Sequence, residues 1–311
     1  MLRTTFAYPE ITDEMAAFYH EQGYLIIENA LSPAELAELR AETTAICRGD
    51  RGTDIRNYEP PPAGATDADV LQRYLCIHFP HKLSDIMLKY LAHQTIVDVS
   101  TKVIGPDVKC MQSMLFIKSA GKPGQAWHQD EEFIPTRDRS LMGGWIALDD
   151  ANTTNGGLWV IPGSHKPGII WPQQVQNDPR FDCTVESWGF PYKDEDAIPV
   201  EVKAGAIVFF NGYLLHRSLP NFATSGYRRV LVNHYMSAQS LLPWHKPRDG
   251  EWMAIADYRD IVMIAGADPY GYKGVENIAS AHLRPSGEGG CDNGTRPKDE
   301  QPRSKVVGGI A

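Results

Sequence analysis

A histidine and an aspartate stand two positions apart in the stretch WHQDEEF, at His128 and Asp130. Side chains two apart on a β-strand point to the same side, so this imidazole and this carboxylate could face a common interior. Both groups bind divalent metals. The pair alone is weak evidence, because a His-x-Asp spacing is common by chance, and a metal site needs a third ligand.

A third candidate ligand is His216, at the end of the apolar run AIVFFNGYLLH. Two histidines and one carboxylate form the facial triad of non-haem Fe(II) oxygenases, which leaves adjacent coordination positions open. A bidentate 2-oxo acid can take two of these positions and O₂ the third. His128, Asp130 and His216 are therefore a candidate iron site.

The segment YRRVLVNHYM contains two adjacent arginines, Arg228 and Arg229, within an apolar strand pattern. An arginine inside a protein is costly unless it meets an anion, and its planar guanidinium suits a carboxylate. Strand alternation turns only one of the two inward, and the pattern leaves both open. His234 shares a strand face with Arg228 by the same alternation, although a satisfied core or rim histidine is favoured over a role in the site.

Short apolar runs separated by turn residues fill the chain from about 108 to 240. The turns are marked by Asn155-Gly156, Pro162-Gly163 and Ala204-Gly205. Many short strands at this spacing indicate an antiparallel barrel or a double-sheet jelly roll. The predicted fold class is therefore mainly β, with flanking helices.

Helical patterns precede these strands and predict a buttress over about 10–105. Ser32 followed by Pro33 and Glu35 is typical of a helix start with a capping box, and Gly49 can end that helix. Further helices are expected over 12–22 and 82–104, with a loop over 50–70.

We expect one domain over 1–284, in which the barrel occupies about 108–240 and C-terminal helices and loops continue to 284. Residues 285–311 contain six glycines and no aromatic residue, which predicts a flexible tail. A long insert, 166–199, lies between two barrel strands. Since loops of this length are commonly functional, we expect it to cover the active site.

The composition limits the possible partners. The chain has 311 residues, 42% of them hydrophobic, and a formal net charge of −9. That charge argues against nucleic-acid or anionic-membrane surfaces, and no run approaches the roughly 18 apolar residues of a membrane span. The first residues lack the apolar core of a signal peptide, and five scattered cysteines form no CxxC pair. We expect a cytoplasmic protein with a small-molecule substrate, whose oligomeric state the sequence leaves open.

Taken together, several segments resemble the phytanoyl-CoA dioxygenase family of Fe(II)- and 2-oxoglutarate-dependent oxygenases, over roughly 15–238. These segments are HEQGYLIIENALSPAELAEL, WHQDEEF, TNGGLWVIPGSHKPG, KAGAIVFFNGYLLHRSLPN and GYRRVLVNHYMS. The resemblance implies a double-stranded β-helix, that is, a jelly-roll or cupin-like barrel. It also implies Fe(II), 2-oxoglutarate as co-substrate, and O₂.

The resemblance assigns roles to individual positions. The implied iron ligands are His128, Asp130 and His216. Arg228 matches the arginine that pairs with the distal carboxylate of 2-oxoglutarate, while Arg229 stays an alternative because the preceding loop is one residue longer than expected. Ser218 matches a hydroxyl that assists there, and Trp145 an aromatic residue that lines the co-substrate pocket. The family's earlier polar contact to 2-oxoglutarate corresponds to Gln72 or Arg73.

The implied activity is oxidation of an unactivated C–H bond of a small organic molecule, with release of succinate and CO₂. The carboxylate at Asp130 resembles the hydroxylase pattern and disfavours halogenation. No polybasic cluster is present for the phosphates of coenzyme A, so a free small molecule is preferred to a CoA ester. Two rivals are a zinc-dependent hydrolase, which gives the arginine strand no purpose, and a non-catalytic barrel that binds a small molecule.

Overall fold

Among the described residues, the α-helices lie in the first third of the chain and begin at residues that cap them. The computed structural model describes residues 5–8, 10–182, 185–241 and 259–286. Ser32 accepts a hydrogen bond from the backbone N–H of Glu35, whose carboxylate bonds back to Ser32, so the predicted capping box is confirmed. The helices are α1 (Asp13–Gln22), α2 (Pro33–Arg48), α3 (Asp67–Gln72), α4 (Asp85–Leu91) and α5 (Gln94–Val103).

Two of the predicted segments differ from the structure. The expected loop over 50–70 ends early, because Thr66 and Asp69 form a second capping box that starts α3. The helix expected over 82–104 is two helices, since the His93 side chain accepts a hydrogen bond from Thr95 N and caps α5. In both places, a capping side chain within the predicted segment starts a new helix.

The described strands form two facing sheets and one separate two-stranded sheet. Their bounds are β1 (Thr5–Ala7), β2 (Tyr24–Glu28), β3 (Tyr74–His78), β4 (Val108–Ser119), β5 (Gln125–His128), β6 (Met142–Ala147), β7 (Leu158–Val160), β8 (Gln173–Val175), β9 (Val185–Ser187), β10 (Ile198–Val200), β11 (Ile207–Asn211), β12 (His216–Ser218), β13 (Tyr227–Ser237), β14 (Val262–Ala265) and β15 (His282–Pro285). Within the described residues the larger sheet has the order β1-β2-β11-β6-β13-β4-β3-β15, with β14 also on β4, and the smaller has β10-β7-β12-β5. All of these pairs except β1 with β2 are antiparallel, and the two-sheet arrangement is the predicted jelly roll.

The two faces of the larger sheet have different partners. Leu115 and Leu231 belong to its outer face and pack in one apolar cluster with helix residues such as Leu39. Val230 and Val232 belong to the inner face and pack in a second cluster with residues of the smaller sheet. The helices therefore buttress the outside, and the interior between the sheets is left to line a site.

The C-terminal segment contributes strands where helices and loops were expected. β14 pairs with β4, and β15 pairs with β3 at the edge of the larger sheet. Pro285, predicted to begin the tail, still pairs with Tyr74, while the remainder of the predicted tail from 287 onward lies outside the described residues. No helix in the described ranges has the length and apolar character needed to cross a bilayer.

Candidate active site

Two neighbouring strands of the smaller sheet bring the candidate histidines together. His128 is the last residue of β5, His216 is the first of β12, and the two stand opposite each other in the antiparallel pair. Their ring centroids are 4.1 Å apart. Asp130 follows β5 in a short 3₁₀ turn, Asp130–Glu132, which directs it back toward both rings.

The three side chains aim one ligand atom each at a common centre. These atoms lie within 4.8 Å of one another. Nε2 of His128 is 3.8 Å and Nε2 of His216 is 3.6 Å from the same oxygen, Oδ1 of Asp130. Each Nδ1 lies against a backbone carbonyl, Ala126 O at 2.7 Å and Leu214 O at 2.9 Å. A proton held on Nδ1 in this way leaves the Nε2 lone pairs for a metal.

The protonation states suit a cation. Burial by itself raises the pKa of Asp130, but the nearby His216 and His234 and the hydrogen bond from His234 outweigh it, and the pKa lies below its usual value. Burial, together with the charge of His216, lowers the pKa of His128 to about 4. At neutral pH the carboxylate is ionised and this imidazole is neutral, as metal ligands must be. Two imidazole nitrogens and one carboxylate oxygen fit non-haem Fe(II).

The second oxygen of Asp130 is held by a residue of the larger sheet. Nε2 of His234, on β13, lies 2.9 Å from Oδ2 of Asp130, and both side chains are buried. His234 was expected to be a core or rim histidine, and the structure instead places it in direct contact with a candidate ligand. The contact leaves Oδ1 directed at the two Nε2 atoms.

Strand alternation separates the two arginines of β13. Arg229 faces outward and forms a two-point ion pair with Asp149, at 2.8 Å for both contacts. Arg228 is buried between the sheets, with its guanidinium 5.6 Å from the ring centre of Trp145. Within the described residues its Nε has no hydrogen-bond partner. Burial lowers the pKa of Arg228 to about 10, so it remains charged at neutral pH.

A buried lysine that sequence analysis missed lies beside Arg228. Lys118, on β4, stands directly opposite Arg228 in the sheet register. Its Nζ donates to Ser218 Oγ and to the Leu219 carbonyl, both at 2.9 Å. Burial and the charge of Arg228 hold the pKa of Lys118 well below its usual value. The signal was present in the segment MLFIKS, where a lysine ends an apolar strand as Arg228 begins one.

The earlier polar residues suggested for 2-oxoglutarate are engaged elsewhere. Arg73 pairs with Glu59 at 2.7 Å and also bonds the Pro60 carbonyl on the exposed side of α3. Gln72 is exposed, and its side chain bonds Tyr227. The α3–β3 junction turns the side chains of Gln72 and Arg73 away from the barrel interior. The polar residue that lies beside Arg228 is Lys118.

The described parts of the long insert lie along β5, beside His128. The side chain of Gln129 is fully buried, donates to the Ile169 carbonyl at 3.0 Å and accepts from Trp171 N at 2.8 Å. Further along, Asp182 N donates to the Gly124 carbonyl at 2.9 Å. These bonds fasten the insert next to the candidate metal site.

The sequence matches a known protein family over most of its length. Residues 19–230 match the family model Phytanoyl-CoA dioxygenase (PhyH). The chain is 28% identical over 244 residues to "Phytanoyl-CoA dioxygenase" of Arabidopsis thaliana, covering 69% of this chain and 85% of that protein. It is 28% identical over 245 residues to "Phytanoyl-CoA dioxygenase, peroxisomal" of Rattus norvegicus, covering 72% of this chain and 68% of that protein.

Solved structures show the same fold. The non-heme monooxygenase ThoJ superposes with a TM-score of 0.61 at 19% identity, covering 88% of this chain and 89% of ThoJ. EctD from S. alaskensis, solved with 2-oxoglutarate and 5-hydroxyectoine, superposes with a TM-score of 0.56 at 23% identity, covering 76% of this chain and 82% of EctD. The family match spans more than half of the chain, so the chain belongs to the phytanoyl-CoA dioxygenase family of iron- and 2-oxoglutarate-dependent oxygenases.

Proposed function

We propose that this dioxygenase oxidises an unactivated C–H bond of a small organic molecule, in the first instance by hydroxylation, and releases succinate and CO₂. In this proposal His128, Asp130 and His216 hold Fe(II), and Arg228 holds 2-oxoglutarate. The observation that carries the proposal is that two features lie in the same interior. One is the set of three convergent ligand atoms, and the other is a buried arginine whose Nε has no partner among the described residues. A zinc hydrolase would use the first and leave the second without a purpose.

The proposed ligand residues are oriented by contacts within the chain. The carbonyls of Ala126 and Leu214 fix the imidazole orientations, and His234 fixes the carboxylate. Fe(II) with 2-oxoglutarate and O₂ supplies the oxidant when bound. The chain's own contribution is to present three ligands on one side and to leave the other side for co-substrate and O₂.

The co-substrate site of this proposal is built from both sheets. Arg228 would donate to the distal carboxylate of 2-oxoglutarate, since a planar guanidinium matches a carboxylate in two-point geometry. Lys118 lies across from it in the register and adds a second basic group. Ser218 bonds Lys118, and Trp145 flanks Arg228, so both predicted residues adjoin the proposed anion site.

The proposal includes hydroxylation as the outcome of the reaction and the cytoplasm as the cell compartment. The carboxylate at Asp130 would hold the metal where a halogenase leaves a position for chloride, which favours hydroxylation. A free small molecule is preferred to a CoA ester, because the sequence has no polybasic cluster for coenzyme A phosphates. The cytoplasmic location stays a prediction, and the rat relative is named as peroxisomal.

An anaerobic titration of the metal-free protein with Fe(II) and 2-oxoglutarate tests the proposal, with the visible iron-to-2-oxoglutarate charge-transfer band as readout. We expect a band in the wild type and its loss in Asp130→Ala. Arg228→Gln should raise the 2-oxoglutarate Kd about 10- to 100-fold, since hydrogen bonds to charged groups contribute about 1.5–3 kcal/mol.

Arg229→Gln is the matched control, because Arg229 is the neighbour of Arg228 in the chain but its guanidinium faces outward onto Asp149. It should leave the Kd for 2-oxoglutarate unchanged. A wild type that forms no band and binds zinc tightly would transfer the assignment to a hydrolase or to a non-catalytic barrel.

A further inference from the structure

A second arginine faces the interior from the C-terminal edge of the larger sheet. Arg284, on β15, stands opposite Cys76 on β3. Cys76 in turn stands opposite Phe116 on β4, and Phe116 stands opposite Val230 on β13. Residues opposite one another in a sheet project from the same face. Val230 belongs to the inner apolar cluster, so Arg284 projects into the interior that contains the candidate active site.

This inner face forms a continuous wall between Arg284 and the metal site. On β4 the inward residues Gln112, Met114 and Phe116 are partly exposed, whereas the outward residues between them are buried against the helices. Gln112 stands opposite His234, the residue that contacts Asp130. A molecule lying on this wall would therefore reach from Arg284 toward the three ligands.

The partner of Arg284 comes from the insert. Its Nη2 donates to the carboxylate of Asp182, and both side chains are 9% exposed. Within the described residues, Nε of Arg284 is buried and has no hydrogen-bond partner. The charge of Asp182 partly offsets the lowering of the pKa of His128 and of Arg228 by burial, which places this carboxylate close to the metal-ligand and co-substrate residues. The interior therefore already accommodates one carboxylate at Arg284.

We propose that Arg284 recognises the substrate, and that the substrate carries a carboxylate which exchanges with Asp182 on the guanidinium. This inference rests on the proposed function, and it adds the class of substrate: a small carboxylic acid whose oxidised carbon lies at the far end of the β4 wall. A bidentate carboxylate would use both Nη2 and the unpartnered Nε, which the present pairing with Asp182 does not. Exchange is feasible because buried ion pairs contribute little net stability once their desolvation is counted.

A purely structural ion pair is the competing explanation, and the chain offers a matched example. Asp194, also in the insert, pairs with Arg217 at 3.3 Å, and the Arg217 guanidinium lies 4.5 Å from the ring centre of Trp127. The Asp194 side chain is 69% exposed. That pair fastens the insert on the outside, whereas the Arg284 pair faces the interior.

The test loads the enzyme anaerobically with Fe(II) and saturating 2-oxoglutarate, so that the Arg228 site is filled. Hexanoate and benzoate are then titrated against their neutral amides, hexanamide and benzamide, and changes in the charge-transfer band give the Kd. Asp182→Asn should bind the carboxylates about tenfold more tightly than the wild type, because the internal competitor has lost its charge. The amides should show no gain.

Two further variants identify the residue responsible. Arg284→Gln in the Asp182→Asn background should remove the gain, and Arg284→Lys should keep part of it, which also shows that the fold tolerates change at this position. Asp194→Asn should behave as the wild type. The inference is overturned if Asp182→Asn gives no gain, if the gain survives Arg284→Gln, or if Asp194→Asn produces the same gain.

The same carboxylate titrations by calorimetry on metal-free protein separate this inference from the proposed function. A missing charge-transfer band in the wild type would count against the dioxygenase site. An Arg284-dependent gain in carboxylate affinity, measured without metal, would still support Arg284 as the anion site. Its absence would count against Arg284 whatever the metal result.

Discussion

The candidate ligands are oriented by contacts that lie outside the triad. Backbone carbonyls hold Nδ1 of both histidines, and His234 holds Oδ2 of Asp130. Partners of this kind set the tautomer and direction of a metal ligand, and their mutation typically costs about 10- to 100-fold in metal affinity. We therefore expect His234 to be a positioning residue, which would act on a bound metal through Asp130.

Replacing His234 tests this role. His234→Leu should raise the Fe(II) Kd about 10- to 100-fold, because Asp130 loses the donor that orients its carboxylate. His234→Gln should recover part of the affinity through its amide N–H. His20→Leu, which alters an exposed histidine in the last turn of α1, serves as control. Equal Fe(II) affinity in His234→Leu and the wild type would contradict the role.

At the scale of elements, the turn between α1 and β2 joins the helical buttress to the barrel. Gly23 has φ 82° and its N–H bonds the Tyr19 carbonyl at 2.7 Å, which ends α1. Its own carbonyl accepts from Asn211 N at 2.8 Å, which connects the turn to β11. A Cβ here would lie 2.4 Å from His165 Nδ1 and 2.8 Å from Leu214 Cδ1.

Gly23→Ala therefore carries two penalties, the left-handed backbone and a steric clash. We expect a loss of about 3 kcal/mol in the free energy of unfolding, measured by urea denaturation. Gly64→Ala is the matched control, since Gly64 has φ 77° and nothing within 4 Å of the added Cβ. It should lose about 1 kcal/mol, for the backbone alone. Similar losses in the two variants would show that the contact with His165 and Leu214 relaxes freely.

At the scale of the whole molecule, buried histidines make stability depend on pH. Burial lowers the pKa of His81 to about 4 and that of His78 to about 3. Below pH 6.5 the unfolded chain takes up protons at these positions while the folded chain does not. Stability is therefore fully present above pH 6.5 and falls as the pH decreases toward 4.

Urea midpoints measured from pH 7 to pH 5 should show this decline. His81 alone should contribute about 2 kcal/mol of it, at 1.36 kcal/mol for each pH unit below 6.5. His81→Gln should flatten the curve by that amount, because its amide does not titrate and can still bond Ser113, which His81 contacts at 2.5 Å. A curve with an unchanged slope would mean that His81 is not protected from protonation in the folded state.

Local patterns in the sequence were sufficient for the fold class, for α1 and α2, and for the choice of His128, Asp130 and His216 as candidates. Period-two apolar runs and capping residues act over a few positions, so they can be recognised without a structure. The family resemblance rested on the same short segments, and the match over residues 19–230 confirms it.

Other features depended on which strands pair. Alternation showed that one arginine of β13 must face inward. The contacts in the structure identify it as Arg228, which lies over Trp145 in the interior, whereas Arg229 pairs with Asp149 on the outer face. The segment MLFIKS carried a signal for Lys118, but its place opposite Arg228 depends on the pairing of β4 with β13, and the inward position of Arg284 depends on the pairing of β15 with β3. The sequence by itself determined the chemistry of the candidate ligands and the elements that carry them. The tertiary structure decided which buried basic residues share the interior with these ligands, because strand register is set by contacts between residues far apart in the chain.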